Sequence, residues 1–305
     1  MRHFLSLLDL HCDEVDALFA LATTLKRDHY AGRPHRFLEG KTMAMIFDKA
    51  STRTRVSFEA GIFQLGGHAL FLHADNTQLG RGEPLADSAK VLSRMVDLIM
   101  IRTFEHDSII EFAKHSHVPV INALTDLLHP CQVLTDIFTY QEHRGSIKGK
   151  TVTWIGDGNN MLHSWINGAA LFGYHLQVAS PIGYQADEML MRDAIGQGAK
   201  ITFMADPLDA ALGADLITTD VWASMGQEQE QEIREKAFVD YQVTAEVMAR
   251  GNDDALFMHC LPAHRGEEVA AEVIDGSQSV VWDEAENRLH VQKALMVFLM
   301  QHAKD

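Results

Sequence analysis

The sequence predicts an α/β protein of two similar-sized domains, each a parallel sheet flanked by helices. Short apolar runs alternate with segments of helical periodicity along the chain, and this alternation is typical of parallel sheets covered on both faces. The 305 residues are enough for about two hydrophobic cores. The one clear break in composition lies at residues 144–150. We therefore predict domains at 1–145 and 146–283, with a C-terminal helix in 284–305 that returns to the first domain.

The spacing of apolar residues places the elements in order along the chain. In the first half, predicted strands at 42–47, 69–72, 98–101 and 118–121 alternate with predicted helices at 13–28, after Val56, at 84–95 and at 107–116. A helix over about 131–144 is expected to join the two domains. In the second half, strands at 151–155, 175–179, 200–203, 215–219, 255–258 and 279–282 alternate with helices that include one from about residue 160, one over 185–196 and a final one over Glu284–His302.

Charge and composition exclude several classes of function. The formal net charge is −16, which disfavours binding to nucleic acid or to an anionic membrane. The three cysteines cannot form a closed disulfide framework, which indicates a reducing compartment. The N-terminus lacks a signal pattern, and no apolar run approaches the ~20 residues that span a bilayer. We therefore expect a cytoplasmic protein.

The turn Ser51-Thr52-Arg53-Thr54-Arg55 follows the first predicted strand and opens a predicted helix. A helix start presents unpaired N–H groups and a partial positive charge. With three hydroxyls and two guanidiniums added, the turn suits a phosphate group. The same pattern also fits an N-capped helix whose arginines face solvent.

Polar segments follow most of the predicted strands at their carboxyl ends. In open parallel sheets, ligands bind beyond these ends. The segments are Ser51–Arg55, Arg102, His129–Gln132, Gly156–Asn160, the loop 220–226 and His259–Pro262. Their recurrence predicts one site region at this edge of the sheets.

Three of these segments also resemble parts of other kinds of site. Gly156-Asp157-Gly158 could begin a dinucleotide fingerprint, but Met161 stands where the third glycine is required and residues 178–181 offer no acid. His129 alone could be a core or capping histidine. Cys260 beside His259 could be a nucleophile or a zinc ligand, but zinc sites use close Cys/His pairs that the chain lacks.

Four motifs in this order resemble the ornithine carbamoyltransferases, and the resemblance covers essentially the whole chain. They are Ser-Thr-Arg-Thr-Arg (51–55), His-Pro-Cys-Gln (129–132), Asp-Val-Trp-Ala-Ser-Met-Gly (220–226) and His-Cys-Leu-Pro (259–262). The resemblance implies transfer of a carbamoyl group from carbamoyl phosphate to the δ-amino group of L-ornithine. It also implies a homotrimer with active sites shared between subunits, no cofactor or metal, and no covalent intermediate.

For carbamoyl phosphate, the resemblance assigns roles to residues of several motifs. The implied phosphate ligands are Ser51, Thr52, Arg53, Thr54 and, from a neighbouring subunit, Gln78. Arg102 and His129 would donate to the carbonyl oxygen, Gln132 would take the carbamoyl amide, and Arg288 would close over the ligand. Arg55 matches the motif but is expected to support the turn.

For the acceptor, the resemblance places Asn160 at the zwitterionic end of ornithine and Asp220 at an ammonium group. The loop is completed by Ser224 and Met225. Cys260 would contact the carbamoyl donor and orient the amine, and Leu261 would supply a backbone carbonyl. A related amine such as putrescine or N-acetylornithine is the alternative acceptor, and a catalytically inactive phosphate sensor is the alternative function.

Overall fold

The computed structural model describes residues 1–73, 82–223 and 230–303. It divides the chain into two compact units, of which unit 1 comprises Met1–Leu134 and Glu286–Asp305, and unit 2 comprises Thr135–Ala285. Each unit contains its own parallel β-sheet. The predicted α/β fold class is confirmed.

Unit 1 is built on a four-stranded parallel sheet of order β2-β1-β3-β4. The strands are β1 (Thr42–Phe47), β2 (His68–His73), β3 (Leu98–Arg102) and β4 (Val120–Leu124), and the helices are α1 (Cys12–Tyr30), α2 (Thr52–Gln64), α3 (Leu85–Leu92) and α4 (His106–His115). From β1 the chain adds β2 on one side of the sheet, and from β3 it adds β4 on the other side. The topological switch point, where ligands bind in such sheets, therefore lies between β1 and β3. Phe47 pairs with Arg102, which brings the segments after β1 and β3 to the same edge.

Unit 2 has a five-stranded parallel sheet of order β7-β6-β5-β8-β9. Its strands are β5 (Thr151–Ile155), β6 (His175–Ala179), β7 (Lys200–Met204), β8 (Leu216–Thr219) and β9 (Leu256–His259). Its helices are α6 (Asn160–Phe172), α7 (Glu188–Gly196), α8 (Pro207–Ala210), α9 (Gln231–Phe238), α10 (Ala245–Met248) and α11 (Ala271–Ile274). The switch point lies between β5 and β8, where Trp154 pairs with Thr218.

Two further helices contribute residues to both units. They are α5 (Pro130–Arg144), close to the predicted 131–144, and α12 (Val281–Gln301). The units divide inside these helices, after Leu134 and after Ala285. The predicted boundary after residue 145 corresponds to the end of α5.

Burial explains why the strands form where they do. All residues of the inner strands β3 and β8 are buried, as expected for strands covered on both faces. Of the four edge strands, β2 and β7 contain no fully buried residue, whereas all residues of β4 and β9 are buried. The core of unit 1 packs strand residues such as Ala44, Ile46 and Ile99 against Ile109 and Phe112 of α4.

Two predicted strands need correction. The strand expected at 118–121 is Val120–Leu124, because Pro119 has no N–H to donate to a sheet. The strand expected at 279–282 does not form: only Ser279 makes an isolated bridge, to Phe257, and Val281 already begins α12. A short apolar run cannot by itself be distinguished from the start of a buried helix.

Candidate active site

The turn after β1 is organised by Ser51, which is the N-cap of α2. Its hydroxyl accepts from the backbone N–H of Thr54 at 3.3 Å and donates to the Thr54 hydroxyl at 3.0 Å. Thr52, Arg53 and Thr54 are thus the first three residues of the helix, where backbone N–H groups have no partner within the helix. This is the geometry in which a helix N-terminus receives an anion.

Arg288 of α12 joins this turn to the first turn of α5. Its Nη2 donates to the Thr54 hydroxyl at 3.0 Å, and its Nη1 donates to Gln132 Oε1 at 2.9 Å. Arg288 and Gln132 are both buried. Thr54, Gln132 and Arg288 are therefore brought together, as predicted from residues far apart in the sequence.

Arg102 and His129 add charge and a hydrogen-bonding ring to the same region. Both are buried; Arg102 ends β3, and His129 immediately precedes α5, where its carbonyl accepts from Gln132 N. Burial lowers the pKa of His129 well below its ordinary value, and the guanidiniums of Arg288, Arg102 and Arg53 lower it further. His129 is therefore a neutral imidazole among three cations. Its N–H can donate a hydrogen bond, but the ring carries no extra proton to give away.

Arg55 has a different environment from Arg53. It pairs with Glu59 at 3.0 Å, and its guanidinium lies 4.0 Å from the centre of the Phe71 ring. These contacts support the outer face of α2. Gln78, the remaining predicted phosphate ligand, lies outside the described residues.

In unit 2, Asp220 is the centre of the corresponding region. It follows β8, is buried, and accepts from Val221 N at 2.8 Å, from Asn159 Nδ2 at 2.8 Å and from the Cys260 thiol at 3.1 Å. These contacts fix the position of the carboxylate. Asp220 and Cys260, assigned from separate motifs, are thus in direct contact.

The thiol of Cys260 is held in its protonated form. Burial raises its pKa well above the ordinary value, and the neighbouring Asp220 carboxylate raises it further. A thiol with a raised pKa is a poor nucleophile but can donate a hydrogen bond. Cys131 behaves similarly, since burial raises its pKa to about 12 and its thiol donates to the Asn122 carbonyl at 3.3 Å.

The segment His259–Pro262 is fixed by buried polar contacts. His259 N donates to Glu284 Oε2 at 2.9 Å, and His259 Nδ1 accepts from Leu261 N at 2.8 Å. The other ring nitrogen, Nε2, lies 3.2 Å from the buried Glu268 carboxylate. Leu261 has a φ of +58°, which turns the chain sharply after Cys260.

The turn after β5 supplies Asn160, the first residue of α6, and a neighbour that the sequence did not single out. Asn159 caps α6 by accepting from Met161 N at 3.0 Å and also donates to Asp220. An Asn before a helical run is an N-cap signal, but its second contact depends on tertiary structure. Gly158 is required here, because a Cβ would lie 2.3 Å from the backbone carbon of Gln185.

Two predicted residues of this region, Ser224 and Met225, lie outside the described residues. Asp220, His259 and Cys260 each place a possible metal-ligand atom within 4.8 Å of the others. However, both ring nitrogens of His259 face protein groups, and the thiol has a raised pKa. The donor set therefore fits an organic ammonium group better than a metal ion.

The two regions differ in what they can hold. In unit 1, three arginines and a neutral histidine suit a small phosphorylated anion with a carbonyl group. In unit 2, a buried carboxylate suits a cationic amine. Parallel α/β units with these two kinds of site suit a transferase that takes a phosphorylated donor and an amine acceptor.

Comparisons with known proteins give the family. Residues 2–142 match the model described as the aspartate/ornithine carbamoyltransferase carbamoyl-P binding domain, and residues 148–299 match the Asp/Orn binding domain. The ornithine carbamoyltransferase of Chromobacterium violaceum is 60% identical over 307 residues, covering 100% of this chain and 99% of that protein. The chain belongs to the aspartate/ornithine carbamoyltransferase family, on its ornithine branch, and is an enzyme of the transferase class.

Solved structures agree with this assignment. The crystal structure of ornithine carbamoyltransferase from Burkholderia thailandensis E264 has a TM-score of 0.91 and 56% identity, covering 98% of this chain and 99% of that one. The anabolic ornithine carbamoyltransferase from Campylobacter jejuni has a TM-score of 0.92 and 42% identity, covering 99% of this chain and 100% of that one. The fold is therefore shared along the whole chain.

Proposed function

We propose that the protein transfers the carbamoyl group of carbamoyl phosphate to the δ-amino group of L-ornithine, giving L-citrulline and phosphate. In this proposal the domain at 1–145, completed by 284–305, binds carbamoyl phosphate, and the domain at 146–283 binds ornithine. The family assignment supports the reaction class, and the site residues support the two substrates.

The donor is a dianion with a carbonyl that must be polarised. The phosphate would be bound by the first turn of α2, through Ser51, Thr52, Arg53 and Thr54, with Gln78 of a neighbouring subunit. Arg102 and His129 would donate to the carbonyl oxygen, where negative charge develops, and each such donor is typically worth about 3–4 kcal/mol in the transition state. Gln132 and Arg288, already hydrogen-bonded to each other at 2.9 Å, would hold the carbamoyl amide and cover the ligand.

The acceptor carries two amines and a carboxylate. Asp220 would hold an ammonium group, Asn160 would contact the zwitterionic end, and Ser224 and Met225 would complete the loop. Cys260 would orient the amine through its protonated thiol, and Leu261 would offer its backbone carbonyl.

The chemical step is direct attack of the neutral δ-amine on the carbonyl carbon. A new C–N bond forms, and a tetrahedral intermediate places negative charge on the oxygen that faces Arg102 and His129. The C–O bond to phosphate then breaks, and the departing phosphate accepts the proton lost by the amine. Cys260 forms no bond, because its thiol remains protonated.

The observation that supports this proposal best is the cationic cluster of unit 1. Three guanidiniums lower the pKa of the buried His129 in a protein whose formal net charge is −16. Gathering buried positive charge in this way is unfavourable without an anion to receive. A small dianion that also offers a carbonyl oxygen fits both parts of the cluster.

A carbamoylation assay with matched acceptors tests the proposal. Purified protein and carbamoyl phosphate would be incubated with ornithine, N-acetylornithine, putrescine or aspartate, and the ureido product measured. We expect citrulline from ornithine at a rate far above the others. A faster reaction with putrescine or N-acetylornithine would reassign the acceptor, and no product with any amine would favour the phosphate sensor.

We also propose that the enzyme is a homotrimer with shared active sites. Val56 and Phe63 of α2 and Leu70 and Phe71 of β2 are exposed, Phe63 by 77%, and exposed apolar clusters of this kind are typical of interfaces. Mixing Gln78→Ala chains with Arg53→Ala chains, at a carbamoyl phosphate concentration where each parent is almost inactive, should restore some activity in hybrid trimers. Hybrids without activity above the parents would indicate sites made within one chain.

We infer a cytoplasmic enzyme of arginine biosynthesis. The biosynthetic role is supported by the Campylobacter jejuni relative, which is described as anabolic. No helix within the described ranges is long and apolar enough to cross a membrane. Citrulline auxotrophy of a deletion strain, reversed by the intact gene, would support the biosynthetic role.

A further inference from the structure

Arg234 of α9 is a buried arginine that has no role in the proposed reaction. It is 6% exposed, and its Nη1 donates both to Asp157 Oδ2 at 2.9 Å and to the Trp222 carbonyl at 3.0 Å. Its Nε donates to Glu230 at 3.1 Å, and its guanidinium lies 4.9 Å from the centre of the Tyr184 ring. A buried guanidinium with this many partners fixes the groups that it contacts.

The two groups held by Arg234 belong to the turns that follow β5 and β8. Asp157 lies two residues after β5 ends, and Trp222 lies two residues after Asp220. These strands are neighbours at the switch point of the unit 2 sheet. The side chain of Arg234 therefore links, by hydrogen bonds, the two turns that contain the acceptor-region residues.

A second tie joins the same two turns closer to the acceptor region. Asn159 Nδ2 donates to Asp220 Oδ2 at 2.8 Å. The ring of Trp222 also stacks on Phe238 at the end of α9, with 6.1 Å between ring centres. The backbone on both sides of Asp220 is thus constrained, on one side by β8 and on the other by Trp222.

We propose that Asp157 and Arg234 are a positioning pair that fixes the backbone after Asp220. The pair thereby determines the position of the Asp220 carboxylate, which binds the acceptor amine. This inference rests on the proposed function, because it concerns how ornithine is held. Neither residue touches substrate in this proposal; both act through Trp222 and Asp220.

The pair also predicts a dependence on pH. Burial raises the pKa of Asp157 to about 6, and the nearby Asp220 raises it too, while Arg234 and the Gly158 N–H act in the opposite direction. Among the described residues that the pair contacts, Glu230 also carries a charge, and it accepts from Nε of Arg234. Below about pH 6, Asp157 becomes neutral and its attraction to Arg234 weakens, so the turn after Asp220 loosens.

The first test separates acceptor binding from donor binding. Arg234→Met should raise the KM for ornithine about tenfold or more, because hydrogen bonds to a charged group are lost, and should change carbamoyl phosphate affinity less than about twofold. Arg234→Lys should restore part of the ornithine affinity. Glu230→Gln is the matched control: its carboxylate is 58% exposed, so its loss should change KM less than about twofold.

The second test uses Asp157→Asn, which keeps the side-chain shape but cannot ionise. The ratio of kcat/KM for ornithine, variant over wild type, should be constant above pH 7 and rise severalfold below pH 6, where only the wild type loses charge. Tryptophan fluorescence of the protein without substrates should change with a midpoint near pH 6 in the wild type only, since Trp222 and Trp154 both contact the pair.

The outcomes distinguish the two hypotheses. A wild-type protein that makes no citrulline overturns the proposed function, whatever its fluorescence. A folded Arg234→Met variant with unchanged ornithine KM overturns the positioning pair. A ratio that stays flat below pH 6, or the same fluorescence change in Asp157→Asn, also overturns it.

Discussion

The candidate sites of the two units are built alike but carry opposite charge. Each lies where two neighbouring parallel strands end at a switch point, and each uses the first residues of the helix that follows the first of these strands. In unit 1 the strand ends bear arginines, and in unit 2 they bear Asp220 and asparagines. The backbone framework thus provides a place for a ligand, and the side chains decide which ligand.

In both regions, burial favours the neutral form of a titratable side chain. It lowers the pKa of His129 and raises the pKa of Cys260, so each group is held in its neutral form. Both can then donate hydrogen bonds, and neither is prepared to exchange a proton near neutral pH. Neither group is therefore a natural acceptor for the amine's proton, whereas the leaving phosphate can take it up.

The largest expected loss of activity comes from removing Arg102, the arginine at the end of β3. Arg102→Leu should lower kcat by about 100- to 1,000-fold, the usual cost of losing a donor to a developing oxyanion. Steady-state kinetics at saturating substrates measures this. Arg265→Leu in unit 2, whose partner is the exposed Asp275, is the control and should keep kcat within about twofold. A fall of less than tenfold for Arg102→Leu would remove this residue from the oxyanion site.

The next effect separates two arginines of one turn. Arg53→Ala should weaken carbamoyl phosphate binding by about 10- to 150-fold, since a charge-assisted contact is worth ~1.5–3 kcal/mol. Arg55→Ala should weaken it by less than about threefold, because Arg55 is engaged by Glu59 and Phe71. Isothermal titration of folded variants gives both affinities, and equal affinities for the two variants would contradict the assignment.

Changing the unit 2 carboxylate should affect the other substrate. Asp220→Asn is expected to raise the KM for ornithine about tenfold or more, because an ammonium loses its counter-charge, and to leave carbamoyl phosphate affinity within about twofold. Asp254→Asn, an exposed acid paired with Arg144 at 3.6 Å, is the matched control. A loss of donor affinity in Asp220→Asn equal to the loss for ornithine would show that the regions do not divide the substrates.

Above the pKa of Asp157, which is about 6, the dependence on pH should come from the amine. An amine like that of lysine has a pKa near ~10.4, so well under ~1% is neutral at pH 7 and the neutral fraction grows tenfold per unit. His129 adds no inflection between pH 6 and 8, because its lowered pKa leaves it neutral throughout. We expect kcat/KM for ornithine to rise by up to about tenfold per unit from pH 6 to 8. A flat profile would exclude control by a single deprotonation.

The smallest expected effect is that of Cys260→Ser. The serine hydroxyl can still donate to Asp220, so the rate should fall by about tenfold or less and not vanish. Mass spectrometry during turnover should show no carbamoyl adduct on Cys260 of the wild type. Such an adduct, or complete inactivity of a folded serine variant, would overturn direct attack.

Local patterns were enough to predict most of the framework. Strands β1, β5 and β6 have the predicted bounds. The proximity of polar segments that follow neighbouring strands is also predictable, since parallel strands bring their carboxyl ends to one edge of a sheet. The roles of the site residues stay predictions, and Gln78, Ser224 and Met225 also lie outside the described residues.

The contacts that Arg234 and Asn159 make with distant segments could not be predicted from the sequence. Arg234 reads as an ordinary charged residue of an amphipathic helix, and its partner Asp157 is 77 residues away. The hydrogen bond from Asn159 to Asp220 likewise crosses 61 residues. The local spacing of polar residues does not predict such pairs. Their members come together only because β5 and β8 are neighbours in the folded sheet.

The protonated state of the two inner thiols has a practical consequence for labelling. Alkylating reagents react with the thiolate, so Cys131 and Cys260 should resist a maleimide at neutral pH. Cys12, the first residue of α1, is exposed. A fluorescent dye should therefore attach fastest at Cys12, whereas Cys260, which is only partly buried, should react slowly.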